Sequence, residues 1–242
     1  MKRQIELEGC HNFRDLGGYP AAGGRSVRWR RLFRADGLHD LTQRDVQLLR
    51  QELGLGEVLD LRSSAEVELD GRGLLAREPI QIQHLPLFDG RVAKSSRPPP
   101  DLGLGQLYLL MFERAGEAFA RVLGALADSR SPAVFHCSAG KDRTGMVSAL
   151  VLGLLDVEDE IVVADYAATR DHLDAIVARL TASRGYEGVF AALPPETLHA
   201  EPRTMLELLA GLRERWGGAR GYARAIGVDD ASVERLRARL LE

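Results

Sequence analysis

Between Pro132 and Leu155 a short apolar run, a ten-residue polar loop and a longer apolar run follow one another, and this stretch restricts the fold more than any other. Pro132 to Phe135 has the brevity of a strand, and Met146 to Leu155 has the length of a helix. The order predicts strand, tight loop, helix. The loop reads His136-Cys137-Ser138-Ala139-Gly140-Lys141-Asp142-Arg143-Thr144-Gly145, so a thiol and a guanidinium share one tight loop with five residues between them. Backbone N–H groups of such a loop, and the N-terminus of the helix behind it, converge on a small volume that favours an anion.

The rest of the chain supplies a sheet around that strand. Gln4 to Glu8 alternates like a short edge strand, Gly9 to Gly24 is rich in turn residues, and Val27 to Phe33 reads as a further strand. Thr42 is placed to cap a helix whose apolar face is Val46, Leu48, Leu49 and Leu53, stopped by Gly54. Glu57 to Leu61 reads as a buried strand, Ser64 as the cap of a short helix through Leu69, and Ile80 to Leu85 as a half-exposed strand. From Gly105 to Asp128, Leu109, Phe112, Phe119, Leu123 and Leu126 recur at helical spacing and predict one long helix. Later segments are helical: Glu158 to Arg170, Leu173 to Ala182, Thr204 to Trp216, and about Ala231 to Leu241 capped by Asp229 or Asp230. The class is α/β, a mainly parallel central sheet flanked by helices with a helix-rich C-terminal half, expected as one domain over residues 1–242. The Pro98-Pro99-Pro100 run is expected to be a mobile connection within it.

Composition removes several classes of function. The 35 acids nearly balance the 32 bases, leaving −3, so no global field points to nucleic acid. Arg25, Arg28, Arg30, Arg31 and Arg34 are a local exception, read either as a solvated edge or as a rim that attracts phosphorylated substrates. Two cysteines, Cys10 and Cys137, make no disulfide framework and fit a reducing compartment, so a cytoplasmic location is expected. The N-terminus has no apolar signal core, and the longest apolar stretch falls short of the ~20 residues a spanning helix needs. No Cys/His cluster has zinc spacing, and Gly140-Lys141 is not a nucleotide loop because Asp142 stands where a Ser or Thr would hold magnesium. Neither a metal nor a cofactor is expected.

Cysteine, five residues, arginine is what phosphoryl transfer to sulfur requires. The nucleophile is the thiolate, which converging N–H groups and a helix N-terminus favour. Arg143 can grip two nonbridging phosphate oxygens at once, which a lysine's point charge cannot. Gly140 permits close backbone approach, Thr144 offers a hydroxyl to the sulfur as it leaves, and His136 orders the loop by hydrogen bonding. A lone cysteine at a strand end is usually a small buried hydrophobe, and the bare spacing is weak. The full ten-residue string between strand and helix is far more specific.

That string resembles the signature of cysteine-dependent protein tyrosine phosphatases, in the branch carrying Gly-Lys-Asp-Arg-Thr-Gly. Asn12-Phe13-Arg14-Asp15-Leu16-Gly17-Gly18-Tyr19, Leu32-Phe33-Arg34-Ala35, Leu59-Asp60-Leu61-Arg62-Ser63 and Ile161 to Tyr166 extend the resemblance to a bacterial tyrosine phosphatase family over nearly the whole chain. The resemblance implies that Cys137 forms a cysteinyl-phosphate, that Arg143 binds the phosphate, and that Ser138, Ala139, Gly140, Lys141 and Asp142 cradle its oxygens through N–H groups. Lys141 resembles the extra charge in loops that accept phosphoinositides, so phosphorylated proteins or phosphoinositides are the implied partners. Two rival readings stand beside this one, an arsenate reductase-like enzyme and a phosphate-binding module without turnover.

A proton donor for the leaving group has three candidates. Asp89, in His84-Leu85-Pro86-Leu87-Phe88-Asp89, sits where the resembling family has an aspartate; Asp142 lies in the loop itself; Asp60 reads as structural, pairing with Arg62. Asn12, Arg14 and Asp15 read as a polar loop that fixes the N-terminus against the phosphate loop. Cys10 enters as a resolving thiol for oxidised Cys137. Residues at about 170–200, with Tyr186 and Phe190, read either as a surface cover over the site or as an ordinary helical excursion.

Overall fold

The structure, a computed structural model, describes residues 2–88, 102–183 and 199–242. In chain order its strands are β1 (Arg14–Asp15), β2 (Pro20–Ala21), β3 (Arg25–Ser26), β4 (Leu32–Ala35), β5 (Glu57–Asp60), β6 (Gln81–His84) and β7 (Ala133–His136). Its helices are α1 (Gln43–Gln47), α2 (Ser64–Asp70), α3 (Leu104–Arg114), α4 (Gly116–Asp128), α5 (Asp142–Leu154), α6 (Asp159–Ala167), α7 (Leu173–Ala182), α8 (Pro202–Trp216), α9 (Ala219–Ala225) and α10 (Asp230–Leu240).

The main sheet has the order β1-β4-β7-β5-β6, with β1 antiparallel to β4 and the other neighbours parallel, while β2 and β3 form a separate ribbon. The strand that carries the thiol loop is therefore central. At its C-terminal end His136 pairs with Ala35 on one side and Asp60 on the other, so the loops after β4, β5 and β7 emerge together. In open α/β sheets that end is where ligands bind.

Both faces of the central strand β7 are buried, which is why it reads as a nearly continuous apolar run, while the edge strand β6 alternates and is half-exposed. Ala133 and Phe135 pack with Leu59, Met146, Leu150 and the helices that cover one face. Val134, Phe33, Ala35 and Val58 pack on the other with Phe13, Leu38, Leu49 and Leu75. Helix α5 is buried nearly all round from Thr144 onward, as its mostly apolar composition from Met146 to Leu154 requires.

Several boundaries differ from expectation. Gln4 makes only one bridge, to Arg14, and the edge strand is β1. Val27 to Phe33 is not one strand: Val27 bridges Leu241 at the C-terminus, and β4 begins at Leu32. The predicted long helix is two, because Ala115 leaves helical geometry (φ −114°, ψ 23°). Stacking of Phe112 on Phe119, centroids 4.4 Å apart, spans that break, and Gly116 leaves room for Ile226. Helix α2 is capped by Ser63 rather than Ser64, and the segment after Ala167 continues as a 3-10 turn, Ala168–His172. Helix α9 was not anticipated, since seven residues carry too little periodicity to register. The Pro98-Pro99-Pro100 run lies outside the described residues.

Candidate active site

Cys137 directly follows β7, and its side chain is buried in the floor of the loop. Thr144, on the first turn of α5, points its hydroxyl back at the sulfur, donating to Sγ at 3.1 Å. Gly140 has φ +65°, and a Cβ there would lie 2.7 Å from the Ala35 carbonyl oxygen, so the loop can fold this close to β4 only with glycine. Arg143 is mostly buried, and its two terminal nitrogens each donate at 2.6 Å to a carboxylate oxygen of Glu66. Glu66 also accepts from the Ser138 hydroxyl at 2.6 Å.

Glu66 was missed from the sequence, although a signal existed. Ser63-x-x-Glu66 is a capping box: the Ser63 hydroxyl accepts from the Glu66 N–H, and the Glu66 carboxylate accepts from the Ser63 N–H at 2.7 Å. One carboxylate thus caps α2 and holds the signature arginine. Nothing in local sequence joins those two tasks.

The loop's carbonyls are held from behind. The Gly140 carbonyl accepts from Arg34 at 2.7 Å and from the Asn12 amide at 3.2 Å. Asp165 on α6 anchors both basic residues, taking Arg14 Nε at 3.0 Å on one oxygen and an Arg34 nitrogen on the other. Burial raises the Asp165 carboxyl, but the two guanidinium groups outweigh it and hold it well below the usual carboxylate range. Arg34 falls to about 10 through burial and the neighbouring charge of Arg14, so it stays protonated at neutral pH. The Asn12-Phe13-Arg14-Asp15 stretch therefore does lock the N-terminal segment against the loop, with Asp15 itself capping turns through the N–H groups of Gly17 and Arg30.

His136 lies behind Cys137, 3.6 Å from Asp60 through Nε2 and 3.3 Å from its neighbour's carbonyl through Nδ1. Burial, aided by Arg62, lowers its pKa to about 4 against the pull of Asp60, so the ring is neutral at pH 7. Burial raises the Asp60 carboxyl, but His136 and the two-pronged Arg62 contact bring it to about 2. Asp60 is engaged in this pairing and lies beside His136 in the sheet, next to the start of the Cys137 loop.

Asp142, at the first helical position of α5, accepts from the Tyr108 hydroxyl and pairs with the Lys141 ammonium at 3.2 Å. Lys141 is buried and also donates to the His199 carbonyl at 3.4 Å. Asp89, the other proton-donor candidate, lies outside the described residues, as do Tyr186 and Phe190.

Two of the alternatives fall away. Cys10 packs in the core on the opposite face of the sheet from Cys137 and donates its thiol to Asp36 at 2.7 Å. Burial and that carboxylate push its pKa well above the ordinary thiol value, so it is the wrong partner for an oxidised Cys137. The arginine cluster is not a rim of the site: Arg30 and Arg31 precede β4, at the end of the sheet opposite the loop, and Arg34 alone reaches inward. Among the described residues no group of three or more His, Cys, Asp or Glu is placed to hold a metal ion, and no helix is long and apolar enough to cross a membrane.

Comparison with known proteins gives the family. Residues 5–242 match the model of the tyrosine phosphatase family. The chain is 30% identical to the triple specificity protein phosphatase PtpB of Mycobacterium tuberculosis, over 98% of each chain. It is also 30% identical to a tyrosine-protein phosphatase of Nostoc commune, over 91% of this chain and 78% of that one. With the family model matched over residues 5–242 and a 30% identical relative matched over 98% of its length, this chain belongs to the tyrosine phosphatase family.

Proposed function

We propose that Cys137, Arg143 and Thr144 carry out phosphomonoester hydrolysis in two displacements on sulfur. The Cys137 thiolate attacks phosphorus, and the oxygen–phosphorus bond of the substrate breaks as the sulfur–phosphorus bond forms. The leaving alkoxide or phenoxide takes a proton from an aspartic acid, Asp142 or Asp89. Water then attacks the cysteinyl-phosphate, losing a proton to the same carboxylate, and Thr144 donates to the sulfur as it departs. The 3.1 Å contact from the Thr144 hydroxyl to Sγ is the observation that carries this reading. It is a donor placed for a sulfur bearing negative charge, which a merely structural cysteine does not need.

Loop N–H groups from Ser138 to Asp142 and the Arg143 fork bind the phosphoryl oxygens, with no metal or cofactor called on. The substrate class is phosphotyrosine in proteins, extended to phosphoserine, phosphothreonine and phosphoinositides; a relative named for triple specificity supports the extension. An arsenate reductase-like route would need further redox thiols, and Cys10 is on the wrong side of the sheet. A binding module without turnover gives no reason for the Thr144–Cys137 contact. The protein is proposed to work as one domain in the cytoplasm.

Phosphate release from phosphotyrosine peptides, phosphoserine peptides and phosphoinositides, measured with EDTA for wild type and Cys137→Ser, tests the reading. Wild-type release lost in the serine variant is expected; no Cys137-dependent release from any substrate would overturn it. In pH–rate profiles with a poor leaving group, the true donor's Asn variant, Asp89→Asn or Asp142→Asn, loses its alkaline limb. If neither loses it, the donor lies elsewhere.

A further inference from the structure

Arg179, on α7, reaches the phosphate loop from a part of the chain that no signature covers. Its guanidinium is nine-tenths buried and makes three contacts at once. One terminal nitrogen donates to the Ser138 carbonyl at 2.6 Å and to Asp36 at 3.2 Å. The other donates to His39 Nε2 at 3.2 Å. The same His39 Nε2 stands 3.4 Å from an Asp40 carboxylate oxygen, and burial lowers the pKa of its ring. Asp36 is held rigid in turn by the Cys10 thiol and by the N–H groups of His11 and Asn12.

The Ser138 carbonyl also accepts the Gly37 N–H at 3.1 Å. Two donors thus pin it on the outer side of the loop. A trans peptide is planar, with its C=O and N–H pointing in opposite directions. Holding the Ser138 oxygen outward therefore aims the Ala139 N–H inward, as Arg34 and Asn12, by holding the Gly140 oxygen, aim the Lys141 N–H.

Resting on the phosphatase reading above, we propose that Arg179 is a positioning residue: through the Ser138 carbonyl it presets the Ala139 N–H for the equatorial oxygens of the transferring phosphoryl group, and it makes α7 part of the catalytic machinery. Arg179 touches no substrate. Its effect falls on the transition state, whose oxygens carry a trigonal-bipyramidal geometry that the ground state lacks, more than on substrate binding.

The test uses the full chain as wild type, Arg179→Met and Arg179→Lys, with rates expressed per Cys137 thiol titrated by iodoacetate so that misfolded chain does not count. Arg179→Met is expected to lower kcat for an aryl phosphate by about 10- to 100-fold, with KM within about threefold, and to raise the Ki of vanadate in parallel. Arg179→Lys keeps the buried charge but not the planar fork that serves Asp36, His39 and Ser138 together, and gives a smaller shift in the same direction. If Arg179→Met does not fold, the lysine variant decides alone. Wild-type kcat and vanadate Ki in the folded variants overturn the inference while leaving the phosphatase reading intact. A wild type without Cys137-dependent turnover removes both.

Discussion

Glu66 ties two tasks to one side chain. It closes the capping box of α2 and clamps Arg143 end-on, leaving the guanidinium in a fixed orientation toward the loop. Glu66→Ala is expected to lose about 1 kcal/mol of stability from the cap alone, read as a shift in urea midpoint. The same variant is expected to lower kcat/KM at least about tenfold, because a mispositioned arginine forfeits the preorganisation of the site. His136 and Asp60 give the site a pH signature. The histidine's pKa falls from its ordinary 6.5 to about 4, so as pH drops the unfolded chain takes the proton first. Its contribution is whole above pH 6.5 and is lost between 6.5 and 4, roughly 3 kcal/mol in all. Asp60, lowered from 3.8 to about 2, adds a second loss between those values. Urea midpoints measured from pH 7 to 4 should fall less steeply in His136→Asn than in wild type; parallel curves would show that other groups carry the acid sensitivity. His136 was legible as a loop-ordering residue and Asp60 as the partner of Arg62, but their mutual contact required β5 and β7 to be neighbours.

Among elements, the β7–loop–α5 unit is the one whose sequence states its own structure. A short buried strand, an obligatory glycine and a largely apolar helix are local facts, and each took the form its composition demanded. What holds the unit is not local. Asp165 on α6 lies between Arg14 and Arg34; Arg34 donates to the Gly140 carbonyl itself, and Arg14 holds the side chain of Asn12, which also donates to it. Asp165→Ala would leave two buried guanidinium groups without their anion, at an expected cost of about 3–5 kcal/mol, measurable by urea unfolding at pH 7. A loss below about 1 kcal/mol would mean that water reaches the cluster. The motif Asn12 to Asp15 announced this bracket, and Ile161 to Tyr166 marked its other half; only the fold brought the two together. Helix α7 is the contrary case. Its periodicity predicted its span residue for residue, yet nothing in Leu173 to Ala182 foretold that Arg179 enters the loop, because the contact depends on where the helix is docked.

At the scale of the molecule, the C-terminal half closes the fold around the sheet. The Phe112 and Phe119 rings stack across the α3–α4 break, and Tyr222 meets both edge-on while donating to the Phe112 carbonyl at 2.8 Å. Phe119→Ala should cost about 3–5 kcal/mol and leave the KM of the folded enzyme unchanged, since the cluster supports the sheet from a distance. A changed KM would show that core packing reaches the loop. By itself the sequence determined the family and the class: a thiol, arginine and threonine on one short loop, set in alternating strands and helices. These are properties of short windows, where residue type and periodicity act directly. Tertiary structure alone decided what orients them. Glu66 on Arg143, Arg179 on Ser138, Asp165 between two arginines and Cys10 on the far face are contacts between residues 26 to 151 positions apart or on opposite sides of the sheet. Such contacts arise from strand order and helix docking, which minimise the free energy of the whole chain and leave no pattern in any one stretch of it.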